Sequence, residues 1–333
     1  MSLPTNRLGN TDLHITRVGF GAWAVGGGDW AYGWGEQDDA ESIAAIRYSI
    51  EQGVNWIDTA AVYGLGHSEE VVARALSGLS DADRPFVFTK CGLVWDAESP
   101  TAKPPARVMA PSSVRREVED SLRRLNVETI DLYQVHWPTD DGTPIEEYWQ
   151  TLADLKASGK VRYIGLSNHD VPALDLAEKV SHVDSLQPPF SAIQRKNAPE
   201  IAWCAEHDTG VIVYSPMQSG LLTGAFSAAR VASLPENDWR RQSPDFSTGL
   251  AANLELAAAL EPIALRHDVP VAAVAVAWTL AWPGVTAAIV GARRPAQIDG
   301  WLPAASLELS AEDISEIAEA IERTGAGWGP SRP

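Results

Sequence analysis

Three short apolar runs in the first half of the chain lead into ionisable side chains. Asp58 ends "NWID", Lys90 ends "PFVFTK" and His136 follows "DLYQV", while Tyr63 comes five residues after the first of these. A free phenol has a pKa of about 10 and is a poor proton donor at neutral pH, but a neighbouring ammonium group lowers that pKa. We therefore predict that Tyr63 donates a proton under the influence of Lys90, which Asp58 keeps charged and oriented. The His136 imidazole would donate a hydrogen bond to an oxygen on which negative charge develops.

The elements that must position these groups follow one pattern along the chain. Short apolar runs alternate with amphipathic stretches in eight strand-then-helix pairs, from "VGFGAWAV" with its following helix to "VTAAIVG" followed by "RPAQIDGWL". Such alternation indicates a parallel sheet, and eight repeats predict an α/β fold that closes into a (β/α)8 TIM barrel. The carboxyl ends of all barrel strands face one mouth, and neighbouring strands lie about 4.8 Å apart. The three strand-end groups should therefore converge there, with Tyr63 above them on a loop.

Other segments lie outside or between these repeats. Residues 7–17 carry a turn signal between alternating residues and predict an N-terminal β-hairpin at the bottom of the barrel. The connection after the seventh strand, residues 217–248, is long and rich in Gly, Ser and Pro, which indicates a functional loop or a disordered insertion. Residues 274–285 predict an additional helix, and residues 325–333 a loose tail. We expect residues 1–333 to form a single domain, because no linker or second hydrophobic unit is evident.

The composition argues against several functional classes. A net charge of −18 argues against nucleic-acid or anionic-membrane partners, because phosphate binding needs a basic face. The two cysteines form no CxxC motif or Cys/His cluster, so neither a zinc site nor a disulfide framework is predicted. The first residues lack the apolar segment of a signal peptide, and no run of about 18 apolar residues follows. We expect a cytoplasmic protein, and no heptad pattern or evident apolar interface indicates its oligomeric state.

A glycine-rich motif in the first strand needs a separate explanation. The stretch "GFGAWA", with Gly19, Gly21 and Ala24, matches a dinucleotide-binding pattern, but that pattern requires a helix directly after it. The residues that follow are "VGGGDWAYGWG", where each glycine would cost a helix about 1 kcal/mol. We predict a barrel strand whose glycines let a ligand approach closely, rather than a Rossmann unit.

The predicted chemistry and the motif order together resemble one enzyme family. A proton donor beside an oxygen-binding group suits carbonyl reduction, and a nicotinamide must then supply the hydride. Asp58, Tyr63, Lys90 and His136 resemble the tetrad of the aldo-keto reductases, and "GVNWIDTAAVYG" followed by "SEE" resembles their signature. The similarity runs from about residue 7 to residue 301, and "GLSN", "YSPMQSGLLTG" and "GARRPAQ" are most similar to the bacterial, potassium-channel-β-like branch. The resemblance implies NADPH-dependent reduction of aldehydes or ketones, with Tyr63 as general acid.

The same resemblance implies a set of cofactor-binding residues. The residues expected to hold the carboxamide are Ser167, Asn168 and Gln194, and Tyr214 is expected to stack on the nicotinamide ring. The segment expected at the pyrophosphate is Ser215, Pro216, Met217, Gln218 and Ser219, with the long loop behind it acting as a clamp. On the adenosine side the family pattern is matched by Gly291, Arg293 and Gln297. The guanidinium of Arg293 is well shaped for a 2′-phosphate, which favours NADPH over NADH. Gly300 and Trp301 depart from the family, which usually has an acid and an asparagine against adenine.

The chain has 13 tryptophans, which is many for 333 residues. Trp23, Trp95 and Trp137 fall at or just after strand ends and are expected to wall an apolar substrate pocket. Trp23 is also expected to contact the cofactor. Such a pocket favours aromatic or apolar aldehydes and ketones.

Two alternatives to a carbonyl reductase remain open at this point. A cofactor-binding regulatory module of the channel-β kind would sense redox state by docking on a partner, but such subunits tend to lack the histidine found at position 136. A metal-dependent hydrolase could use Asp58 and His136, yet it needs further ligands at strand ends. Asn168 and Gln194 are predicted to occupy those ends, so we expect no metal.

Overall fold

The computed structural model describes residues 3–28, 30, 32–80, 82–96, 98, 103–236 and 238–332, and its centre is a closed barrel of eight parallel strands. The strands are β1 (Thr5–Arg7), β2 (His14–Thr16), β3 (Val18–Gly21), β4 (Trp56–Asp58), β5 (Phe86–Cys91), β6 (Leu93–Val94), β7 (Ala106–Arg107), β8 (Ile130–Val135), β9 (Val161–Ser167), β10 (Ser185–Gln187), β11 (Gly210–Val213) and β12 (Ala287–Gly291). The barrel order is β3-β4-β5-β8-β9-β10-β11-β12, and β12 closes on β3. The predicted (β/α)8 barrel is confirmed.

Helices surround this barrel. They are α1 (Asp39–Glu51), α2 (His67–Leu76), α3 (Pro111–Leu125), α4 (Ile145–Ala157), α5 (Val171–Glu178), α6 (Ala198–Glu206), α7 (Ala228–Ala232), α8 (Leu250–Ala259), α9 (Glu261–Arg266), α10 (Val271–Leu280) and α11 (Ala311–Thr324). Among the described residues no single helix is long and apolar enough to cross a bilayer. The stretch from α8 to α9 and helix α10 pass that test only as a pair, which is bent by 95°.

The predicted hairpin is present and supplies the floor of the barrel. Strands β1 and β2 pair antiparallel, with Asn6 opposite Ile15. Leu8, Leu13 and Ile15 are fully buried and pack in one cluster with inward-facing barrel residues such as Trp56. Burial of such side chains contributes about 1.5–3 kcal/mol each. The lower end of the barrel is therefore filled by side chains, and the site residues lie at the other end.

The glycines of the first barrel strand lie against side chains of neighbouring strands. A Cβ on Gly19 would lie 2.1 Å from the Trp56 ring, and one on Gly21 would lie 2.8 Å from the Ile289 side chain. These glycines thus make room for neighbouring side chains, and the expectation that they also let a ligand approach stays a prediction. A short 3-10 turn at Ala24–Gly26 follows the strand. No helix begins directly after the motif, which agrees with the prediction that it is not a Rossmann unit.

The last helices differ from the prediction. The stretch expected to form the eighth helix, "RPAQIDGWL", forms two 3-10 turns, Pro295–Gln297 and Leu302–Ala305, because Pro295 and Pro303 interrupt helical hydrogen bonding. The helix that follows, α11, was not predicted. It begins with a capping box in which Ser310 and Asp313 satisfy each other's backbone N–H groups, a pattern visible in "SAED".

The C-terminal tail is held against the barrel rather than loose. Arg195 is only 2% exposed, and among the described residues its guanidinium binds backbone carbonyls rather than a carboxylate. Its guanidinium donates to the carbonyl oxygens of Ala192, Ile193, Ala326, Gly329 and Pro330. Three of these five carbonyls belong to the tail, and the Trp328 backbone also pairs with that of Gln194. The prediction of a loose tail is wrong because it was based on small residues and prolines, whereas a buried cation requires these acceptors.

Deletion of residues 326–333 should therefore destabilise the protein. The truncation removes three acceptors and leaves charged N–H groups of Arg195 buried without partners, which costs about 1–3 kcal/mol. We expect the free energy of unfolding, measured by urea titration, to fall by about that amount. Deletion of residues 331–333 alone keeps every carbonyl that Arg195 uses and should have a smaller effect. An equal loss in the two truncations would contradict this role of Arg195.

Candidate active site

Asp58 and Lys90 form a buried ion pair at the mouth of the barrel. The Lys90 Nζ donates to Asp58 Oδ1 over 2.5 Å and to the Thr59 carbonyl oxygen over 2.9 Å. The two side chains come from neighbouring strands β4 and β5 and are 3% and 1% exposed. Burial lowers the pKa of Lys90, and the carboxylate beside it opposes that effect. Two of the three N–H groups of the Lys90 ammonium are thus occupied.

Tyr63 lies over this pair, as predicted. The Lys90 Nζ is 5.2 Å from the centre of the Tyr63 ring. Burial raises the pKa of Tyr63 well above 10, and the negative charge of Asp58 and the Tyr214 phenol raise it further. The predicted lowering of this pKa is therefore wrong in direction for this structure. Desolvation outweighs the nearby ammonium, so the Tyr63 phenol is held in its protonated form.

The His136 ring faces Tyr63 from the adjacent side of the mouth. The two ring centres are 5.6 Å apart at an interplanar angle of 78°. Burial, aided by the positive charge of Lys90, lowers the pKa of His136 well below 6.5. The imidazole is therefore neutral at pH 7 and can donate one hydrogen bond. The structure thus brings all four predicted side chains to one place.

The strand-end glutamine at this site is Gln187, not Gln194. Gln187 is the last residue of β10, and its Nε2 donates to Asp58 Oδ2 over 2.8 Å. Gln194 lies seven residues later in a loop, where its backbone N–H donates to the Ser191 hydroxyl. The placement of Gln194 at a strand end is wrong because Pro188 and Pro189, which have no N–H group, follow Gln187 and end the strand. Sequence reasoning missed Gln187, although its position within "SLQPP" could have revealed it.

Hydrogen bonds connect the residues predicted to hold the carboxamide. The Tyr214 hydroxyl donates to Asn168 Oδ1 over 2.8 Å, and Asn168 Nδ2 donates to the His136 carbonyl oxygen and to Ser167 Oγ. Ser167 Oγ donates in turn to the Gln187 carbonyl oxygen over 2.8 Å. Polar groups from three strand ends are thus fixed on one side of the tetrad.

The segment predicted at the pyrophosphate has the backbone geometry of an anion site. Ser215, Gln218, Ser219 and Gly220 have φ values of 57°, 45°, 53° and 99°. Left-handed residues in such a turn can direct backbone N–H groups into one concavity, but here the N–H groups of Gln218 and Gly220 donate to the carbonyl oxygens of Ser215 and Met217. The binding of a dinucleotide phosphate by this segment stays a prediction. The Gln218 side chain itself is engaged elsewhere, with Asp245 and Ser191.

Comparison with known proteins agrees with this geometry. A family model described as "Aldo/keto reductase family" matches residues 17–322. The chain belongs to this family. "Aldo-keto reductase YhdN" of Bacillus subtilis (strain 168) is 32% identical over 95% of this chain and 93% of its own length. The "NADH-specific methylglyoxal reductase" of Escherichia coli (strain K12) is 32% identical over 95% of this chain and 98% of its own length.

A solved structure supports the same assignment. The glycerol dehydrogenase AKR11B4 from Gluconobacter oxydans is 36% identical, with a TM-score of 0.88 over 97% of both chains. This aldo-keto reductase is therefore an oxidoreductase whose family uses a nicotinamide cofactor and small-molecule carbonyl substrates. Membership alone does not decide between NADPH and NADH, since one relative is named as NADH-specific.

On the adenosine side, Arg293 is tied to the loop before α1. Its Nε donates to Gln37 Oε1 over 2.6 Å, its Nη2 donates to the Glu36 carbonyl oxygen, and its own N–H donates to Gln297 Oε1. Arg293 and Gln297 are thus adjacent, as the family pattern implies, next to Gly291 at the end of β12. Trp301 is 1% exposed and packs in the core around the barrel, so this departure from the family places a core residue there.

Aromatic rings from two loops meet above Tyr63. The Trp23 ring stacks on Tyr63 at 6.3 Å and on Trp239 at 6.1 Å, and Trp30 lies 6.2 Å from Tyr63. Trp34 packs edge-on against both Trp23 and Trp239. Trp239 belongs to the predicted clamp loop, residues 217–248, whose described part forms short helices. The contact between Trp239 and Trp23 was not predicted from the sequence, because no local sequence pattern indicates a contact between residues so far apart.

The other two predicted pocket tryptophans contact arginines outside this cluster. The Trp95 ring lies 6.0 Å from the Arg124 guanidinium, and the Trp137 ring lies 5.1 Å from that of Arg107. Neither contact brings them to Tyr63, so their part in a substrate pocket stays a prediction.

Two surface clefts and the acidic side chains offer no competing site. A cleft of about 580 Å³ is lined by residues that include Asp39 and His67, which pair with each other at 2.8 Å. Another of about 520 Å³ is lined by Asp140 and Asp141, among others. Within the described part of the chain, no three His, Cys, Asp or Glu side chains form a group that could hold a metal ion. The hydrolase alternative therefore has no ligand set among these residues.

Proposed function

We propose that this aldo-keto reductase reduces aldehydes and ketones with NADPH, and that Tyr63 is the general acid. The observation that carries the proposal is the position of the Tyr63 ring over the buried Lys90–Asp58 pair, with the His136 ring facing it. A bound nicotinamide supplies the hydride. A carbonyl oxygen between Tyr63 and His136 would accept one hydrogen bond from each.

The chain's own residues would then manage one proton. Tyr63 is held protonated by its buried surroundings, which is the form that an acid must have before reduction. As the substrate oxygen becomes negative, Tyr63 transfers its proton, and the Lys90 ammonium stabilises the phenolate that remains. Asp58 keeps Lys90 oriented through the 2.5 Å hydrogen bond. The neutral His136 orients the substrate without competing as an acid.

The remaining predicted residues would bind the cofactor. Ser167, Asn168 and Tyr214 would receive the nicotinamide and its carboxamide, and the left-handed turn from Ser215 to Gly220 would receive the pyrophosphate. The clamp loop, residues 217–248, would cover the bound pyrophosphate. The aromatic roof formed by Trp23, Trp30, Trp34 and Trp239 favours apolar or aromatic substrates.

Oxidation of NADPH in the presence of 4-nitrobenzaldehyde tests this proposal. Purified protein should consume NADPH only when the aldehyde is present, and the alcohol should accumulate in equal amount. A regulatory module of the channel-β kind would bind NADPH without such turnover. The proposed function fails if the rate does not exceed that of a Tyr63→Phe variant.

Arg293→Ala tests the cofactor preference. If the guanidinium turns from Gln37 to a 2′-phosphate, its loss removes charge-assisted hydrogen bonds of about 1.5–3 kcal/mol. We expect the Kd of NADPH, measured by quenching of tryptophan fluorescence, to rise roughly 10- to 150-fold. The Kd of NADH should change little, because NADH lacks that phosphate. Equal weakening for both cofactors would show that Arg293 acts only by anchoring residues 36 and 37.

A further inference from the structure

We propose that His169, held in place by Tyr148, is a positioning residue that fixes Asn168 in the orientation that binds the nicotinamide carboxamide. The inference rests on the proposed function, since it concerns the same cofactor. His169 comes directly after Asn168, just beyond the end of β9, and Tyr148 lies on α4. The sequence indicated neither residue as part of the site, and both act through the backbone next to Asn168.

The His169 ring closes on the backbone in front of it. Its Nδ1 lies 2.8 Å from the Ser167 carbonyl oxygen. A carbonyl oxygen can only accept a hydrogen bond, so Nδ1 carries the ring proton and donates it. This hydrogen bond spans Asn168, whose φ of 63° is in the left-handed region that few residues other than glycine adopt. The ring therefore stabilises a turn that the backbone of Asn168 does not favour by itself.

Tyr148 holds the other nitrogen of the same ring. Its hydroxyl lies 3.0 Å from His169 Nε2, which carries no proton in this tautomer, so the phenol donates and the imidazole accepts. His169 and Tyr148 are 2% and 3% exposed, and a lost partner would therefore leave a buried polar atom unsatisfied. Burial lowers the pKa of His169 to about 4. The ring is thus neutral at pH 7, as this arrangement requires.

The chain is anchored on both sides of this turn. Ser167 is the last residue of β9 and lies opposite Gln187 of β10 in the parallel register. On the other side, Asp170 begins α5, where its side chain accepts from the Ala173 N–H at 3.0 Å. Between these anchors, the two hydrogen bonds of the His169 ring fix the path of the backbone. The direction of the Asn168 side chain depends on that path.

The hydrogen bonds of Asn168 show which of its atoms can still bind a ligand. Both hydrogens of Nδ2 are in use, one toward the His136 carbonyl oxygen at 2.9 Å and one toward Ser167 Oγ at 3.1 Å. Its Oδ1 accepts from the Tyr214 hydroxyl at 2.8 Å and has a second lone pair. The amino group of a carboxamide is a donor that fits this remaining acceptor. We therefore assign Asn168 Oδ1 as the atom that His169 positions.

His169→Leu removes both ring nitrogens at similar volume. Calorimetric titration would compare NADP⁺ with 3-acetylpyridine adenine dinucleotide phosphate, whose acetyl group replaces the carboxamide and has no N–H to donate. We expect the Kd of NADP⁺ to rise about 3- to 10-fold, because the hydrogen bond to Asn168 Oδ1 is lost. The Kd of the analogue should change less than about twofold, since it never makes that bond. A residue with only a packing role would weaken both ligands equally.

His169→Asn is the conservative variant, and two tyrosine variants are matched to each other. An asparagine amide can replace the ring Nδ1 as donor to Ser167, so the Kd of NADP⁺ should stay within about twofold of wild type. Tyr148→Phe leaves Nε2 without its donor and should weaken NADP⁺ by less than the Leu variant does. Tyr163→Phe removes a hydroxyl at the other end of β9 and should change neither Kd. Circular dichroism would verify that each variant folds.

The ring tautomer provides a measurement that needs no cofactor. In protein with isotope-labelled histidine rings, nitrogen NMR at pH 7 should show a ring protonated on Nδ1 and unprotonated on Nε2. This pair of signals should disappear in His169→Asn. A proton on Nε2 of His169 would contradict the donation to the Ser167 carbonyl oxygen and overturn the inference.

The outcomes separate this inference from the proposed function. An unchanged Kd of NADP⁺ in the Leu variant, an equal weakening of both ligands, or a lack of rescue by asparagine overturns the role of His169. A wild type that shows the expected binding differences but does not reduce 4-nitrobenzaldehyde overturns the proposed function alone. If wild type binds NAD⁺ instead of NADP⁺, the preference for NADPH fails, and NAD⁺ with its 3-acetylpyridine analogue decides the role of His169. A wild type that binds neither dinucleotide overturns both.

Discussion

Replacement of Tyr63 by phenylalanine is expected to lower kcat for carbonyl reduction about 100- to 10,000-fold, because it removes the group proposed to donate the proton. The ring would remain, so its packing on Trp23 and Trp30 should persist and the Kd of NADPH should stay close to that of wild type. Single-turnover rates with preformed NADPH complex would isolate the chemical step. A higher KM with an unchanged kcat would assign Tyr63 to substrate binding instead.

The matched control is Tyr163→Phe. This tyrosine lies on β9 near the hairpin, where its hydroxyl donates to Asp12 at 3.0 Å. The change removes the same atom from the opposite end of the barrel, so kcat should remain within about twofold of wild type. If the two variants lose activity equally, the loss reflects altered packing of the barrel rather than a missing acid.

The sequence was sufficient for the barrel and for the four tetrad positions. Apolar runs that end on Asp58 or Lys90 can be recognised locally, and the rule that parallel strands share one carboxyl edge then brings distant residues together. The hairpin follows from local turn chemistry in the same way. Each of these predictions depends on residue spacing over a short stretch of chain. The tetrad also requires the general rule that all barrel strands share one carboxyl edge.

Several of the errors arose where long-range packing decides. The sequence presents two glutamines near the sixth strand, and only the structure shows that Gln187 reaches across the barrel to Asp58. The tail was predicted to be loose, but its carbonyl oxygens accept hydrogen bonds from the buried Arg195. Trp239 meets Trp23 across two loops that no motif relates. In each case the deciding contact joins residues far apart in the chain.

The pKa of Tyr63 illustrates the same limit in electrostatic terms. The sequence indicates an ammonium neighbour, which lowers a phenol's pKa, but it does not give the degree of burial, which raises it. In the structure burial is the larger effect. A protonated Tyr63 suits reduction, since the proton is available at neutral pH. The same arrangement would slow oxidation, for which Tyr63 must first lose its proton.

Lys90→Met should be the most destabilising change in the site. It leaves the Asp58 carboxylate buried without its cationic partner, and breaking a buried ion pair from one side costs about 3–5 kcal/mol. In this variant the folded-state pKa of Asp58 lies above its unfolded value, so the unfolded state binds fewer protons at neutral pH. The deficit relative to wild type is therefore largest above that folded pKa and shrinks as the pH falls through it. Urea unfolding at pH 7.5 and at pH 5 would measure both values.

The double variant Lys90→Met/Asp58→Asn separates stability from catalysis. An asparagine at position 58 carries no charge, so no uncompensated carboxylate remains in the barrel, and much of the lost stability should return. Activity should not return, because no ammonium then stabilises the phenolate of Tyr63. Recovery of both would mean that Lys90 serves the fold alone. If neither recovers, the cost of losing Lys90 comes from its packed methylene chain rather than from the charge it leaves on Asp58.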